Sequence, residues 1–239
     1  MALPKLNSGP KYNLTIPSSN QEINYRPFLM KEEKALLIAM ESKNTATVLN
    51  TLTDIINSCI DGDNIKINNL TTFDIEYMFL KIRSKSVGEN ADVALKCSHC
   101  EAENKISVNL DEISVDVPDI SKIIEIDENI KIEVDWPSYK DIIKSGTLTQ
   151  EGEPSTEQMF QLMNQCFKTI ITEDERIKLT DVPKSEVQEF LDSMTSTQFS
   201  KIQEFMDNIP KLKHTIEFEC VQCKEDNKQV VEGVANFLS

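Results

Sequence analysis

Apolar and polar residues alternate in two short runs around "PSSN" in the stretch "KYNLTIPSSNQEINYRPF". That pattern predicts a β-hairpin, with Leu14 and Ile16 on one face and Ile23 and Tyr25 answering them. Pro27 disfavours helix at Arg26, so a helix is expected to begin just after it, with Leu29, Leu36, Leu37 and Met40 as its apolar stripe. A second helical run spans about 45–60, with Val48, Leu49, Leu52, Ile55, Ile56 and Cys59 on one face until "DGDN" breaks it. Thr71 or Thr72 offers a cap to a third helix, in which Phe73, Tyr77, Leu80 and Ile82 face inward.

After "GEN" the period changes to two. Val93, Leu95 and Cys97 share one strand face; Ile106, Val108 and Leu110 share another. "EISVDV" reads as a further strand, and "KIIEIDENIKIEVDWP" as a hairpin turning at "DEN", with Trp136 marking its junction with a helical segment. From Pro137 to about Ile209 the pattern is helical, with candidates near 138–144, 155–171, 183–193 and 196–208. Pro154, Pro183 and Pro210 punctuate them, and Thr195-Ser196-Thr197 offers a cap to the last. Alternation returns in "KHTIEFEC", before the apolar "VVEGVANFL". No repeat of fixed period and no low-complexity segment is evident, which argues against solenoids and disordered scaffolds.

The strands enclose the sharpest chemical signal. "VALKCSHCEAENKISVNL" carries Cys97 and Cys100, and "TIEFECVQCKEDNKQVVEGV" carries Cys220 and Cys223. Each reads as a strand, a Cys-x-x-Cys knuckle, a few polar residues and another strand. A two-residue gap lets both thiolates of a knuckle approach one ion, and two knuckles supply the four sulfurs of a closed tetrahedral zinc site. The two knuckles lie far apart in sequence, so such a site closes a long loop and makes the intervening chain an insertion. Two alternatives stand beside it: a redox pair, which requires a helix directly after its Cys-x-x-Cys, and two unrelated reduced pairs. His99 reads as a turn residue and His214 as a strand residue. Cys59 and Cys166 fall on apolar helical stripes and read as core.

These elements define an α+β chain. It comprises an N-terminal hairpin plus helical region (1–90), a zinc-ribbon-like β region built from the two knuckles (91–136 and 211–239), and a largely helical insertion (137–210).

Charge and composition narrow the function. Forty acidic residues oppose twenty-five basic ones in 239, a formal net charge of -15. An excess of carboxylates opposes phosphate binding, so nucleic acid is not an expected partner. No stretch approaches the roughly 20 apolar residues of a membrane span. The opening "MALPKLNSGPKYN" lacks the apolar core of a signal peptide, and the expectation is a protein of the reducing cytoplasm in which it is translated. There is no phosphate-cradling glycine loop, no G-x-S-x-G elbow and no H-E-x-x-H helix. "DGDNIKINN" fails as a calcium loop because Ile65 stands at its fifth position and no glycine follows. The carboxylates of "TEDERIKLTD" read as a solvated loop. The expectation is a protein that is not an enzyme and has no small-molecule substrate.

The stretch "PKLNSGPKYNLTIPSSNQEINYRPFLMKEEKALLIAME" resembles the N-terminal region of the T4-type bacteriophage baseplate family, over residues 4 to 42. Its features are a "K-Y-x-L-x-I-P" strand, a polar turn, and "Y-R-P-F-L-x-K-E-E-K" entering a Leu-rich helix. The resemblance implies a structural or assembly component of the baseplate hub of a contractile-tailed phage. Such a protein binds other hub and tail proteins in the cytoplasm of the infected bacterium or in the virion tail. On that reading Arg26, Phe28, Lys31 and Lys34 form a docking face for a neighbouring hub subunit, with the hairpin edge open to strand addition. The alternative is internal: Phe28 and Leu29 clamp the hairpin to this chain's own helix, and Arg26 pairs with a nearby carboxylate. A zinc-ribbon adaptor for transcription machinery and a thiol oxidoreductase are the two other functional classes consistent with paired cysteines.

Overall fold

In the computed structural model, which describes residues 9–42, 44–62, 65–145 and 155–237, the first hairpin forms where the alternation places it. Strands β1 (Tyr12–Thr15) and β2 (Glu22–Tyr25) pair antiparallel, with Leu14 opposite Ile23 and Tyr12 opposite Tyr25. Asp63 and Asn64 of the predicted helix break, Pro154, and residues 4–8 of the resembling stretch lie outside the described residues.

The chain folds as two compact units, Met1–Val117 with Lys211–Ser239, and Pro118–Pro210. In the first unit the hairpin leads into helices α1 (Met30–Glu41), α2 (Thr45–Cys59) and α3 (Thr72–Ser86). Asn44 caps α2 by accepting from the Thr47 N–H, and Thr71 caps α3 in a reciprocal box with Asp74. Asp74 is buried and also accepts the Ser18 N–H, which fixes the hairpin turn against the start of α3. Helix α3 is the core of this unit: Phe73, Ile75, Met78, Phe79, Leu80 and Ile82 are all buried. Lys81 donates to the carbonyls of Leu110, Asp111 and Ile113, holding the segment 110–113 that follows the hairpin carrying Cys97 and Cys100.

Helix α1 departs from the predicted stripe. Leu36 is buried, but Leu29, Leu37 and Met40 are exposed, and the inward face is Glu32, Leu36 and Ala39. The reason is electrostatic: Glu32 turns inward to meet Arg26, and the helix rotates with it.

Two further hairpins complete the unit. Strand β3 (Asn90–Lys96) pairs with β4 (Glu103–Asn109), and β9 (Lys213–Glu219) pairs with β10 (Asp226–Glu232). A 3-10 turn at Val234–Phe237 comes next, entered through Gly233 at φ +78, a left-handed conformation that favours glycine. The predicted strand in "EISVDV" reduces to a single bridge between Val115 and Leu212.

The second unit holds a four-stranded antiparallel sheet in the order β5-β6-β7-β8. Its strands are β5 (Ile123–Glu125), β6 (Lys131–Val134), β7 (Phe167–Ile171) and β8 (Arg176–Lys178). The β5–β6 turn is the predicted "DEN", where Asp127 accepts from the N–H groups of Asn129 and Ile130. Helices α4 (Tyr139–Ser145), α5 (Thr156–Cys166), α6 (Lys184–Asp192) and α7 (Ser196–Asp207) accompany it, the last capped by Thr195. The helix expected over 155–171 ends at Cys166, and "FKTII" continues as β7, pairing with β6 through Ile170 opposite Ile132. Among the described residues, 137–210 is largely helical, with β7 and β8 as its strands. A run of β-branched residues with a strand partner on each side outweighs the helical periodicity before it. Part of the loop expected in "TEDERIKLTD" likewise becomes β8. Trp136 is buried in this unit, directly after β6.

Candidate metal centre

The two Cys-x-x-Cys segments form the tips of the β3–β4 and β9–β10 hairpins, and they turn in the same way. Cys97 N–H donates to Ala102 O and Glu101 N–H to Cys97 O; Cys220 N–H donates to Glu225 O and Lys224 N–H to Cys220 O. Glu101 (φ 60) and Lys224 (φ 63) occupy the left-handed region, which re-aims each chain into its returning strand. Neither turn opens a helix, so the arrangement of a thioredoxin-like redox pair is absent here.

These turns bring Cys97, Cys100, Cys220 and Cys223 together, with all four sulfurs within 4.8 Å of one another. Cys97 Sγ lies 3.6 Å from Cys223 Sγ, and Cys100 Sγ lies 3.6 Å from Cys220 Sγ. A disulfide needs ~2.05 Å, and all six cysteines are free. Zn–S bonds of ~2.3 Å place the sulfurs of a tetrahedral site ~3.8 Å apart. The donor set and its spacing therefore fit a single tetrathiolate-bound ion, with the four sulfurs as its whole coordination sphere and no open position for water.

The four sulfurs are not equivalent. Cys97 and Cys220 are buried, Cys223 is partly covered and Cys100 is exposed. The buried pair receives backbone donors: His99 N–H reaches Cys97 Sγ at 3.4 Å, and Gln222 N–H reaches Cys220 Sγ at 3.4 Å. The Cys223 and Gln222 N–H groups favour the thiolate of Cys220, pulling its thiol down to about 6, and Cys97 is lowered as well, by the His99 and Cys100 N–H groups against burial. His99 thus acts through its backbone, as a turn residue, and His214 sits on β9.

Two residues that motif reading does not single out also touch the cluster. Asn104 and Asn227 are buried beside it, each hydrogen-bonded to a sulfur of the opposite hairpin. The available signal is a shared Cys-x-x-Cys-x-x-x-Asn spacing in "CSHCEAEN" and "CVQCKEDN".

The N-terminal residues expected at a docking face divide into two pairs. Arg26 donates to Pro27 O, Ser58 O and Glu32 Oε1, and Phe28 is buried against Phe79 with ring centroids 6.4 Å apart. Lys31 and Lys34 are exposed, and Lys31 lies 3.2 Å from Glu32 Oε1. Among the described residues, no helix is long and apolar enough to cross a membrane.

The first unit of this mixed helix and strand chain carries a four-cysteine cluster that could hold a metal ion. The family described as T4 bacteriophage base plate protein matches residues 9–239, and the chain belongs to that family. It is thereby a structural component of a phage baseplate. No curated protein and no solved structure matches the chain.

Proposed function

We propose that this chain is a non-enzymatic component of the baseplate hub, where it binds other hub proteins and is pinned by one structural zinc. The observation that carries the assignment is the family match, which spans nearly the whole chain rather than one module. The zinc would be held by Cys97, Cys100, Cys220 and Cys223, whose sulfur spacing fits it. What the ion supplies is closure: it ties two hairpins whose bridging cysteines are 120 positions apart, so its binding free energy becomes stability of the first unit.

The docking face on this reading is the outward side of α1. Met30, Leu37 and Ile38 are 74%, 56% and 57% exposed, and with Lys34 they share one helical face. Arg26 and Phe28 shape that face from beneath by fixing the start of the helix, and Lys31 flanks it. The occupant is another baseplate subunit, on the reading that a T4 base plate family member works within a baseplate.

Two measurements test this. Affinity capture of a tagged chain from infected cells is expected to bring down other baseplate proteins, and capture of none would overturn the hub assignment. Metal analysis of protein purified without added metal is expected to give about one zinc per chain; metal-free protein whose Cys97, Cys100, Cys220 and Cys223 react without a chelator would overturn the zinc assignment while leaving the family intact.

A further inference from the structure

The two cysteine hairpins are copies of one unit. Asn90–Lys96 maps onto Lys213–Glu219 and Glu103–Asn109 onto Asp226–Glu232, each displaced by 123 positions. The displacement also carries Cys97 onto Cys220, Cys100 onto Cys223, the left-handed Glu101 onto Lys224, and Asn104 onto Asn227. The contacts between hairpins obey the same relation: Cys97 meets Cys223 as Cys220 meets Cys100. Such reciprocity is the signature of a local two-fold axis through the sulfur cluster.

Two asparagines cross between the hairpins to reach the sulfurs, beside Gln229, whose Nε2 donates across to Lys96 O. Asn104 is 1% exposed; its Oδ1 accepts the Val221 N–H at 2.9 Å and its Nδ2 lies 3.8 Å from Cys220 Sγ. Asn227 is 5% exposed; its Oδ1 accepts from Ser98 N–H at 2.9 Å and Ser98 Oγ at 2.8 Å, and its Nδ2 lies 3.4 Å from Cys97 Sγ. Each amide also donates within its own hairpin, Asn104 to Ala102 O and Asn227 to Glu225 O. The amide orientation is dictated by its partners. A backbone N–H can only meet the oxygen, so the nitrogen is left to face the sulfur.

We propose that Asn104 and Asn227 are the positioning residues of the metal centre, each clasping the Cys-x-x-Cys turn of the opposite hairpin and donating an N–H to its buried sulfur. The proposal rests on the zinc reading above. Its physical basis is charge. Four thiolates around a divalent ion carry a net charge of -2, in a chain whose formal charge is already -15. N–H donors aimed at the sulfurs spread that charge and fix the ligands before the ion arrives. Backbone groups supply one set of donors; the asparagines supply a second and lock the hairpins in register.

The test uses the full chain with Asn104→Asp and Asn227→Asp, separately. Aspartate keeps the oxygen that accepts the backbone N–H and replaces the N–H donor by an oxygen facing a thiolate. Each substitution is expected to raise the rate of zinc loss to a chelator by about 10- to 100-fold, and to shift the sulfur-to-metal charge-transfer band of the Co(II)-loaded protein. Release rates and Co(II) spectra matching the unsubstituted chain would overturn the asparagine assignment. If the unsubstituted chain takes up neither Zn(II) nor Co(II), the zinc reading itself fails. A second measurement needs no substitution. In the 113Cd-loaded protein, scalar coupling from the metal to the side-chain amide protons of both asparagines is expected, and its absence at both would equally overturn the proposal.

Discussion

Arg26 Nη2 lies 3.0 Å from Glu32 Oε1, so the residue that leads the chain into α1 is answered from inside the first turn of that helix. Glu32 is buried, and its other oxygen accepts the Leu29 N–H at 2.8 Å, satisfying one of the free donors at the helix start. Burial pushes the Glu32 carboxyl up, but the bonds from Arg26, Leu29 and Lys31 outweigh it and leave the group below its ordinary 4.5. The pair is expected to contribute stability above that pH and to lose it as the pH falls through the lowered value. Glu32→Ala is expected to cost roughly 2 kcal/mol, the scale of a charged hydrogen bond with a partly exposed partner. Urea unfolding at pH 7 checks this, and a cost near zero would mean that solvent replaces the pair.

The same contact explains what the sequence conceals about α1. A glutamate two residues from a lysine reads as solvent-facing, which places the helical stripe through Leu37 and Met40; burying Glu32 turns those side chains out. At Cys166 the obstacle is different: neither glycine nor proline marks the change from α5 to β7, and only the strand partners on β6 and β8 decide it. The cysteine cluster, by contrast, is legible because metal ligation tolerates few spacings. Asn104 and Asn227 are hidden, since an asparagine after a turn is common and its partner lies 117 or 129 positions away.

Glu76 gives the first unit a pH dependence of opposite sign. Burial pushes its carboxyl up to about 7, while the Val234 N–H pulls the other way. The unfolded chain releases this proton near 4.5, so the folded state is expected to lose stability as the pH rises from about 4.5 to about 7. Glu76→Gln mimics the protonated acid at every pH. It is expected to stabilise the protein by roughly 3 kcal/mol at pH 8, taking 1.36 kcal/mol per pKa unit, and by almost nothing at about pH 4.5. Thermal unfolding across that range checks the convergence; a constant offset would show that the gain is not electrostatic.

The outward face of α1 is expected to separate stability from assembly. Leu37→Asp and Ile38→Asp replace exposed side chains, so each should change stability by no more than about 0.5 kcal/mol. Together they place two charges on the proposed docking surface, where desolvating an unpaired carboxylate opposes association. Capture of other baseplate proteins from infected cells is expected to fall at least tenfold with metal content unchanged. Undiminished capture would move the interface elsewhere.

The six thiols are expected to fall into two classes once metal is removed. Burial pushes the Cys59 thiol up to about 11 and the Cys166 thiol up to about 12, the latter packed 3.5 Å from Met206 Sδ. At pH 8 a thiol near 11 is ionised only about one part in a thousand, and only the thiolate attacks an alkylating reagent. Cys97, Cys100, Cys220 and Cys223 instead sit at hairpin tips whose proposed tether is the metal, and Cys100 is already exposed. Chelator followed by iodoacetamide is therefore expected to label these four rapidly and to leave Cys59 and Cys166 protected until denaturant is added. Peptide mapping reads the order directly. Early labelling of Cys59 would mean that metal loss unfolds the helices of the first unit along with its hairpins, and early labelling of Cys166 that it unfolds the second unit, so that the ion is more than a clasp between two strand pairs.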